Sequence, residues 1–173
     1  HLKKSGTPTM GGILIMISVA VTSILYAGEY PQIVPILFLT LGFGLIGLLD
    51  DYLKVVLRRS MGLRAWQKML LQLIVTGIFT YYLYHAKGVS LVMKIPFLNG
   101  YFLNMGKLTI PFLFVVVIGT VNGTNFTDGL DGLVSSVTIM VSTFFTVAAI
   151  GTGVGIAPIT CAVTGALLGF LLF

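Results

Sequence analysis

At 173 residues the chain is long enough for one domain, and 57% of its residues are hydrophobic while only 9% are charged. A soluble globule needs more polar surface than this composition supplies, so an ordinary soluble enzyme is excluded. The formal net charge is +5, from ten basic and five acidic residues. With basic residues this sparse, we expect a lipid bilayer around the protein and no nucleic-acid partner.

Six apolar stretches, each about the length that crosses a bilayer core, predict six transmembrane helices. In chain order they are Gly11–Ala27, Ile33–Leu49, Trp66–Tyr84, Leu108–Val121, Leu133–Ile150 and Ile156–Phe173. The predicted fold class is an all-α polytopic membrane protein, with one transmembrane domain over residues 1–173. We expect further spans before His1 and after Phe173.

The long loop at residues 85–107 contains two short apolar runs around Asn99-Gly100. Asn-Gly between such runs favours a two-residue hairpin turn. We therefore predict a small β-hairpin in this loop, on the extracytoplasmic surface.

Basic residues fall unevenly on the two sides of the predicted spans. One side holds only Lys87, Lys94 and Lys107, whereas the other holds Lys3, Lys4, Lys54, Arg58, Arg59, Arg64 and Lys68. The positive-inside tendency places the richer side in the cytoplasm.

A glycine pattern in the second span imitates a nucleotide-binding motif. Gly42, Gly44 and Gly47 match GxGxxG, but that fingerprint requires a preceding strand, and here it lies within an apolar span. The pattern instead predicts close helix packing through small residues.

Four of the five acidic residues map to the predicted cytoplasmic edge. Asp50 and Asp51 end the second span in GLLDDYLK. The simplest interpretation is a pair of solvated charges, with Lys54 as an ordinary helical partner of Asp50. However, two carboxylates at the negative end of a helix dipole require a compensating cation, either a lysine or a metal.

The other two acids, Asp128 and Asp131, lie in NGTNFTDGLDG between the fourth and fifth spans. A turn with Thr127 or Asp128 as helix N-cap is the simpler interpretation. A single cap does not require so many Asn, Asp and Gly residues. Glycines would let backbone N–H groups approach a ligand, at a helix N-terminus suited to anions.

The opening stretch, HLKKSGTPTMGG, adds lysines and threonines on the same side. It is either an interfacial loop near lipid phosphates or the phosphate-facing lip of a site. Cations and hydroxyls beside clustered carboxylates suit a phosphate-rich ligand and a divalent metal, with Mg²⁺ preferred and Mn²⁺ as the alternative.

These three motifs, in this order, resemble those of the phospho-N-acetylmuramoyl-pentapeptide transferase family, within the polyprenyl-phosphate N-acetylhexosamine-1-phosphate transferases. The resemblance implies a ten-span, Mg²⁺-dependent enzyme of the bacterial inner membrane with a cytoplasmic active site. It would transfer phospho-MurNAc-pentapeptide from UDP-MurNAc-pentapeptide to undecaprenyl phosphate, giving lipid I and UMP. A homodimer is an open alternative to a monomer.

The family pattern also implies roles for individual residues. Asp50, Asp51 and Asp128 would be catalytic and are the candidate metal ligands, although the main metal aspartate is expected after Phe173. The substrate-binding candidates are Lys4 and Thr9 beside the diphosphate, Gly129, Leu130 and Asp131 around uridine, and Asn122 and Asn125 as polar neighbours. Without that later aspartate, these 173 residues alone are expected to be inactive.

Three alternative functions are weaker. A related transferase could use another UDP-aminosugar. A CDP-alcohol phosphotransferase has further aspartates and an arginine in its signature, whereas LVSSVT follows Gly132 here. A transporter would place polar residues near the bilayer midplane, not at one edge.

Overall fold

The computed structural model describes residues 11–56, 62–86, 92–95, 101–127 and 132–172. These residues form six α-helices, one short 3₁₀ turn and two short strands. In chain order the elements are α1 (Gly11–Ala27), α2 (Ile33–Val55), α3 (Ala65–His85), β1 (Met93–Lys94), β2 (Phe102–Leu103), α4 (Thr109–Thr127), α5 (Leu133–Thr152) and α6 (Ala157–Leu171), with the 3₁₀ turn at Gly106–Leu108.

Three helical segments are long and apolar enough to cross a membrane: α2, the segment Gly106–Thr127 that contains α4, and α5. Helices α1 and α6 are also apolar but shorter. Helix α3 is in neither group, and its buried residues, Gln72, Thr76 and Thr80, are all polar. These helices confirm the predicted class of helical membrane protein, whereas the count of six spans stays a prediction.

The helices pack side by side in the order α5, α6, α1, α2, α3, α4. A buried cluster of Val19, Ile33, Leu37 and Ile159 joins α1, α2 and α6 at the centre of this row. Helices α4 and α5, although consecutive in sequence, touch only slightly.

Two helices extend by more than a turn beyond their predicted C-terminal ends. Helix α2 continues to Val55, so Asp50 and Asp51 lie inside a helix and not at its terminus. Helix α4 continues past Val121 to Thr127, where the hydroxyl donates to the carbonyl of Gly123 at 2.9 Å. Thr127, one of the two residues considered as a possible N-cap of the fifth span, therefore belongs to α4, and Gly132 occupies the N-cap position of α5.

Several helix termini meet at one end of the row. The backbone N–H of Leu63, just before α3, donates to Asp50 of α2, and Lys68 of α3 donates to Asn125 near the end of α4. Gly12 in the first turn of α1 lines a cavity together with Asp51. We call this end, which carries Asp50, Leu63 and Asn125, the aspartate end.

Strands β1 and β2 pair antiparallel, with Met93 opposite Leu103 and Lys94 opposite Phe102. The Asn99-Gly100 turn that was predicted to join them lies outside the described residues. The complete hairpin therefore stays a prediction.

The glycines of the second span pack against neighbouring helices, as the small-residue interpretation requires. A Cβ atom added at Gly42 would lie 2.8 Å from a methyl group of Val75 on α3, and one at Gly44 would lie 2.6 Å from the sulfur of Met16 on α1. Gly47 has no such neighbour. Two of the three glycines thus allow close helix contacts.

Gly42→Ala is expected to destabilise the bundle, because the stiff Val75 side chain cannot move away without overpacking, at a cost of about 1–3 kcal/mol. Gly47→Ala is the matched control and should leave stability unchanged or raise it, because alanine favours a helix over glycine. Thermal unfolding in detergent measures both variants. Equal melting temperatures for the two would contradict the packing role of Gly42.

Candidate functional site

Asp50 is a buried carboxylate with a partner on each oxygen. Its Oδ2 accepts from the ammonium of Lys54 at 2.6 Å, and its Oδ1 accepts from the backbone N–H of Leu63 at 2.8 Å. Only 8% of the residue is exposed. A carboxylate buried to this degree is tolerated only when paired, and here a lysine and a backbone amide provide the pairing. The sequence required a lysine or a metal at this point, and the structure supplies a lysine.

Asp51 has a different environment, because successive helix residues point about 100° apart. Its side chain is exposed and, among the residues that the structure describes, makes no hydrogen bond or ion pair. It lies at a cavity of about 310 Å³ between α1 and α2 whose lining is otherwise apolar, including Met16, Leu48 and the glycines Gly12, Gly44 and Gly47. The two neighbouring aspartates therefore differ in burial, in charge pairing and in direction.

A row of polar side chains joins α3 to α4 at the same end. Gln72 and Asn122 exchange two hydrogen bonds, of 2.9 and 3.5 Å. One turn nearer the aspartate end, the Lys68 ammonium donates to Asn125 Oδ1 at 3.3 Å. The spacing of four residues on α3 and three on α4 keeps both pairs on facing helix surfaces.

Lys68 connects this row to Asp50. Its positive charge attracts the Asp50 carboxylate while its ammonium bonds Asn125. Asp50 and Asn125, two of the predicted site residues, thus lie at the same end of the row. Lys68, which the sequence analysis considered only as a topological signal, bonds Asn125 and acts on Asp50 through its charge alone.

Asn122 holds α4 against α3 through hydrogen bonds at the interface between the two helices. Its amide nitrogen donates to Gln72 and also to the carbonyl of Ile118 at 2.9 Å, while its oxygen accepts from Gln72. These bonds orient the last two turns of α4. Asn125, in contrast, is exposed at the aspartate end.

The remaining predicted site residues lie outside the described part of the chain, namely Lys4, Thr9, Asp128, Gly129, Leu130 and Asp131. In sequence, Thr9 stands two residues before α1, and Asp128 follows the last residue of α4. Both of those helix termini belong to the aspartate end.

The sequence analysis missed three contributors. Lys68 and Gln72 carried a usable signal, because polar side chains within a membrane-length helix usually bond to a neighbouring helix. The third, Gly62, carried none, because its role depends on how the loop between α2 and α3 folds.

The described residues do not form a metal site by themselves. No group of three His, Cys, Asp or Glu side chains suited to an ion occurs among them. The Asp51 carboxylate is suited to bind a hard divalent cation, since it is exposed and has no partner among the described residues. Asp50 does not fit while both of its oxygens are engaged, because an ion at Oδ2 would repel the Lys54 ammonium.

Comparison with known proteins shows two family matches. The model of the family described as "Glycosyl transferase family 4" matches residues 33–173. A second match, described as "Phospho-N-acetylmuramoyl-pentapeptide-transferase signature 1", covers residues 4–16.

Curated relatives carry the name phospho-N-acetylmuramoyl-pentapeptide-transferase. The protein from Clostridium botulinum strain Alaska E43 is 48% identical over 99% of this chain and 52% of its own length. Those from Acetivibrio thermocellus and Clostridioides difficile strain 630 are 44% and 40% identical over 100% of this chain and 53% and 54% of theirs. The chain thus spans about half the length of the curated relatives it matches.

Gln72→Leu is expected to lower stability, because it removes both bonds between Gln72 and Asn122 and leaves the Asn122 side-chain oxygen without its donor. Such bonds contribute about 1–2 kcal/mol between membrane helices. The double variant with Asn122→Leu should cost less than the sum of the two single changes. Thermal unfolding of the four proteins in detergent gives the coupling energy. Strictly additive losses would show that the two amides do not interact.

Proposed function

The chain belongs to glycosyl transferase family 4, and we propose that its protein transfers phospho-MurNAc-pentapeptide from UDP-MurNAc-pentapeptide to undecaprenyl phosphate, giving lipid I and UMP. The observation that carries the proposal is the convergence of Asp50, Asp51, Lys68 and Asn125 on one end of the helix row. The signature match at residues 4–16 overlaps the first turns of α1, beside Asp51. The names of the relatives support phospho-N-acetylmuramoyl-pentapeptide as the transferred group.

The proposed topology places all six helices across the bacterial inner membrane with the aspartate end in the cytoplasm. Lys54, Arg64 and Lys68 cluster at this end, as the positive-inside tendency requires. Residues 85–107 would then form the extracytoplasmic loop. Short helices such as α1 can be accommodated by local thinning of the bilayer or by flanking residues that reach the interface.

The substrate contacts follow from the family motifs. Lys4 and Thr9 are proposed to bind the diphosphate, and Gly129, Leu130 and Asp131 to bind uridine. Asn125 would border this pocket, whereas Asn122 supports it through its bonds to Gln72. Because the lysines at this end are cationic, they would attract both phosphorylated substrates.

A divalent cation, Mg²⁺ or Mn²⁺, is proposed at Asp51 and Asp128, together with the aspartate expected after Phe173. When bound, the ion would neutralise charge on the diphosphate oxygens. Asp50 remains a candidate ligand only if Lys54 moves away from its Oδ2.

We favour direct attack by the acceptor over an acyl-phosphate intermediate. An oxygen of undecaprenyl phosphate would bond to the β-phosphorus of the donor, and the bond from that phosphorus to the bridging oxygen would break, releasing UMP. Because the second pKa of a phosphate monoester is about 6, the acceptor is already an anion at neutral pH. Asp50 is buried with both oxygens engaged, which suits orientation of the acceptor better than nucleophilic attack.

The test of this function is donor discrimination by the full-length protein in detergent. With undecaprenyl phosphate and Mg²⁺, UMP release is expected from UDP-MurNAc-pentapeptide and not from UDP-N-acetylglucosamine. Preference for the second donor would favour a related aminosugar transferase. Flux of substrate across vesicles without UMP release would favour a transporter and contradict the proposal.

Asp50→Asn is expected to lower kcat by about 100-fold or more, as loss of an acid–base or orienting carboxylate does. The affinity for UMP should change by less than about threefold, because the role lies in the chemical step. Steady-state kinetics and UMP titration separate the two quantities.

Glu29→Gln is the matched control, since it removes an exposed carboxylate from the turn between α1 and α2, at the opposite end. It should keep normal kcat. A loss of UMP affinity in Asp50→Asn as large as the loss of kcat would make Asp50 a binding residue instead.

A further inference from the structure

The backbone that leads into α3 closes over the Asp50 carboxylate. Gly62 has a left-handed conformation, with φ at +56°. The next residue, Leu63, directs its N–H to Asp50 Oδ1 at 2.8 Å, across thirteen residues of sequence. Residues 62 and 63 therefore contact α2 just before α3 begins.

Glycine is required at position 62 for two independent reasons. An L side chain rarely adopts a φ of this sign. In addition, a Cβ atom there would overlap Asp50 Oδ1 and lie 2.7 Å from Lys54 Cε. Any side chain at this position would displace the carboxylate, the lysine or the loop.

The Leu63 N–H is not needed to start α3. The N–H of Arg64 is already satisfied by the side chain of Gln67, at 3.1 Å. Helix α3 thus has its own side-chain acceptor at its first turn, and the Leu63 amide is directed to Asp50. An ordinary helix-to-helix turn would not bring its backbone against a buried carboxylate.

We propose that Gly62 and Leu63 are positioning residues that hold the Asp50 carboxylate in the orientation needed for transfer. Leu63 fixes one oxygen, Lys54 fixes the other, and Gly62 permits both by lacking a side chain. The inference rests on the proposed function, because it assigns this arrangement to the reaction. The positioning itself is a property of the folded protein and can be measured without turnover.

Gly62→Ala tests the proposal in the full-length protein, with Gly106→Ala as the matched control. Gly106 is also left-handed, with φ at +51°, but a Cβ atom there would have no neighbour within 4 Å. Both variants therefore carry similar backbone strain, and only the first contacts Asp50. Gly62→Asn is a second variant, because asparagine tolerates the left-handed region but still introduces the Cβ atom.

Relative to the parent protein, two measured quantities are expected to change in both Gly62 variants and to stay unchanged in the Gly106→Ala control. Hydrogen exchange of the Leu63 amide should become at least about tenfold faster, because its acceptor is displaced. The value of kcat should fall by about 100-fold, the size of effect expected when a reacting geometry is misplaced by about 1 Å. UMP affinity should stay within about twofold of the parent.

A double-mutant cycle that combines Gly62→Ala with Asp50→Ala completes the test. If Gly62 acts through the carboxylate, Gly62→Ala should add no further loss of kcat in that background. Equal losses in Gly62→Ala and Gly106→Ala, or an unchanged Leu63 amide, would overturn the proposal. If the parent showed no transfer, the proposed function would fail, while faster exchange in the Gly62 variants alone would still support the positioning of Asp50.

Discussion

The arrangement of the aspartate end depends on one buried charge. A carboxylate removed from water costs several kcal/mol unless partners replace its hydration, and Asp50 is almost fully buried. Its partners come from two places in the chain: Lys54 one turn later on the same helix, and Leu63 in the loop that follows. Satisfying this charge therefore fixes the position of Leu63 and the start of α3. The position of α3 then determines where Lys68 meets α4.

The same requirement for paired polar groups sets the register of the other helices. Gln72 bonds to Asn122 between α3 and α4. Between α5 and α6, hydroxyl pairs at 2.8 Å perform the equivalent function, Ser142 with Thr164 and Thr146 with Thr160. Apolar side chains can slide past one another in a lipid-like environment, whereas hydrogen-bonded pairs cannot, so these contacts specify the alignment.

The sequence predicted the helices well because apolar length is a local property, and the bounds of α1 agree at both ends. It ended α4 too early, because Asn122 and Asn125 in an apolar chain indicate a loop unless their partners on α3 are known. The position of Asp50 and Asp51 near the end of the second span was predictable for the same local reason. The difference between Asp50 and Asp51 was not, because it depends on the rotation of α2 and on the left-handed backbone at Gly62.

The contrast between the two adjacent aspartates bears on how the proposed site would accept the two anionic substrates that we propose. Two free carboxylates would repel a diphosphate donor and a phosphate acceptor alike. With Asp50 neutralised by Lys54, and Lys68 contributing a further positive charge, the aspartate end is not dominated by negative charge. Of the two aspartates described at this end, Asp51 keeps a carboxylate without an ion pair, on the side of α2 that faces α1. Asp50 and Asp51, although adjacent on one helix, thus provide one carboxylate held by hydrogen bonds and one that is exposed. The two aspartates of the DD motif can therefore have different roles.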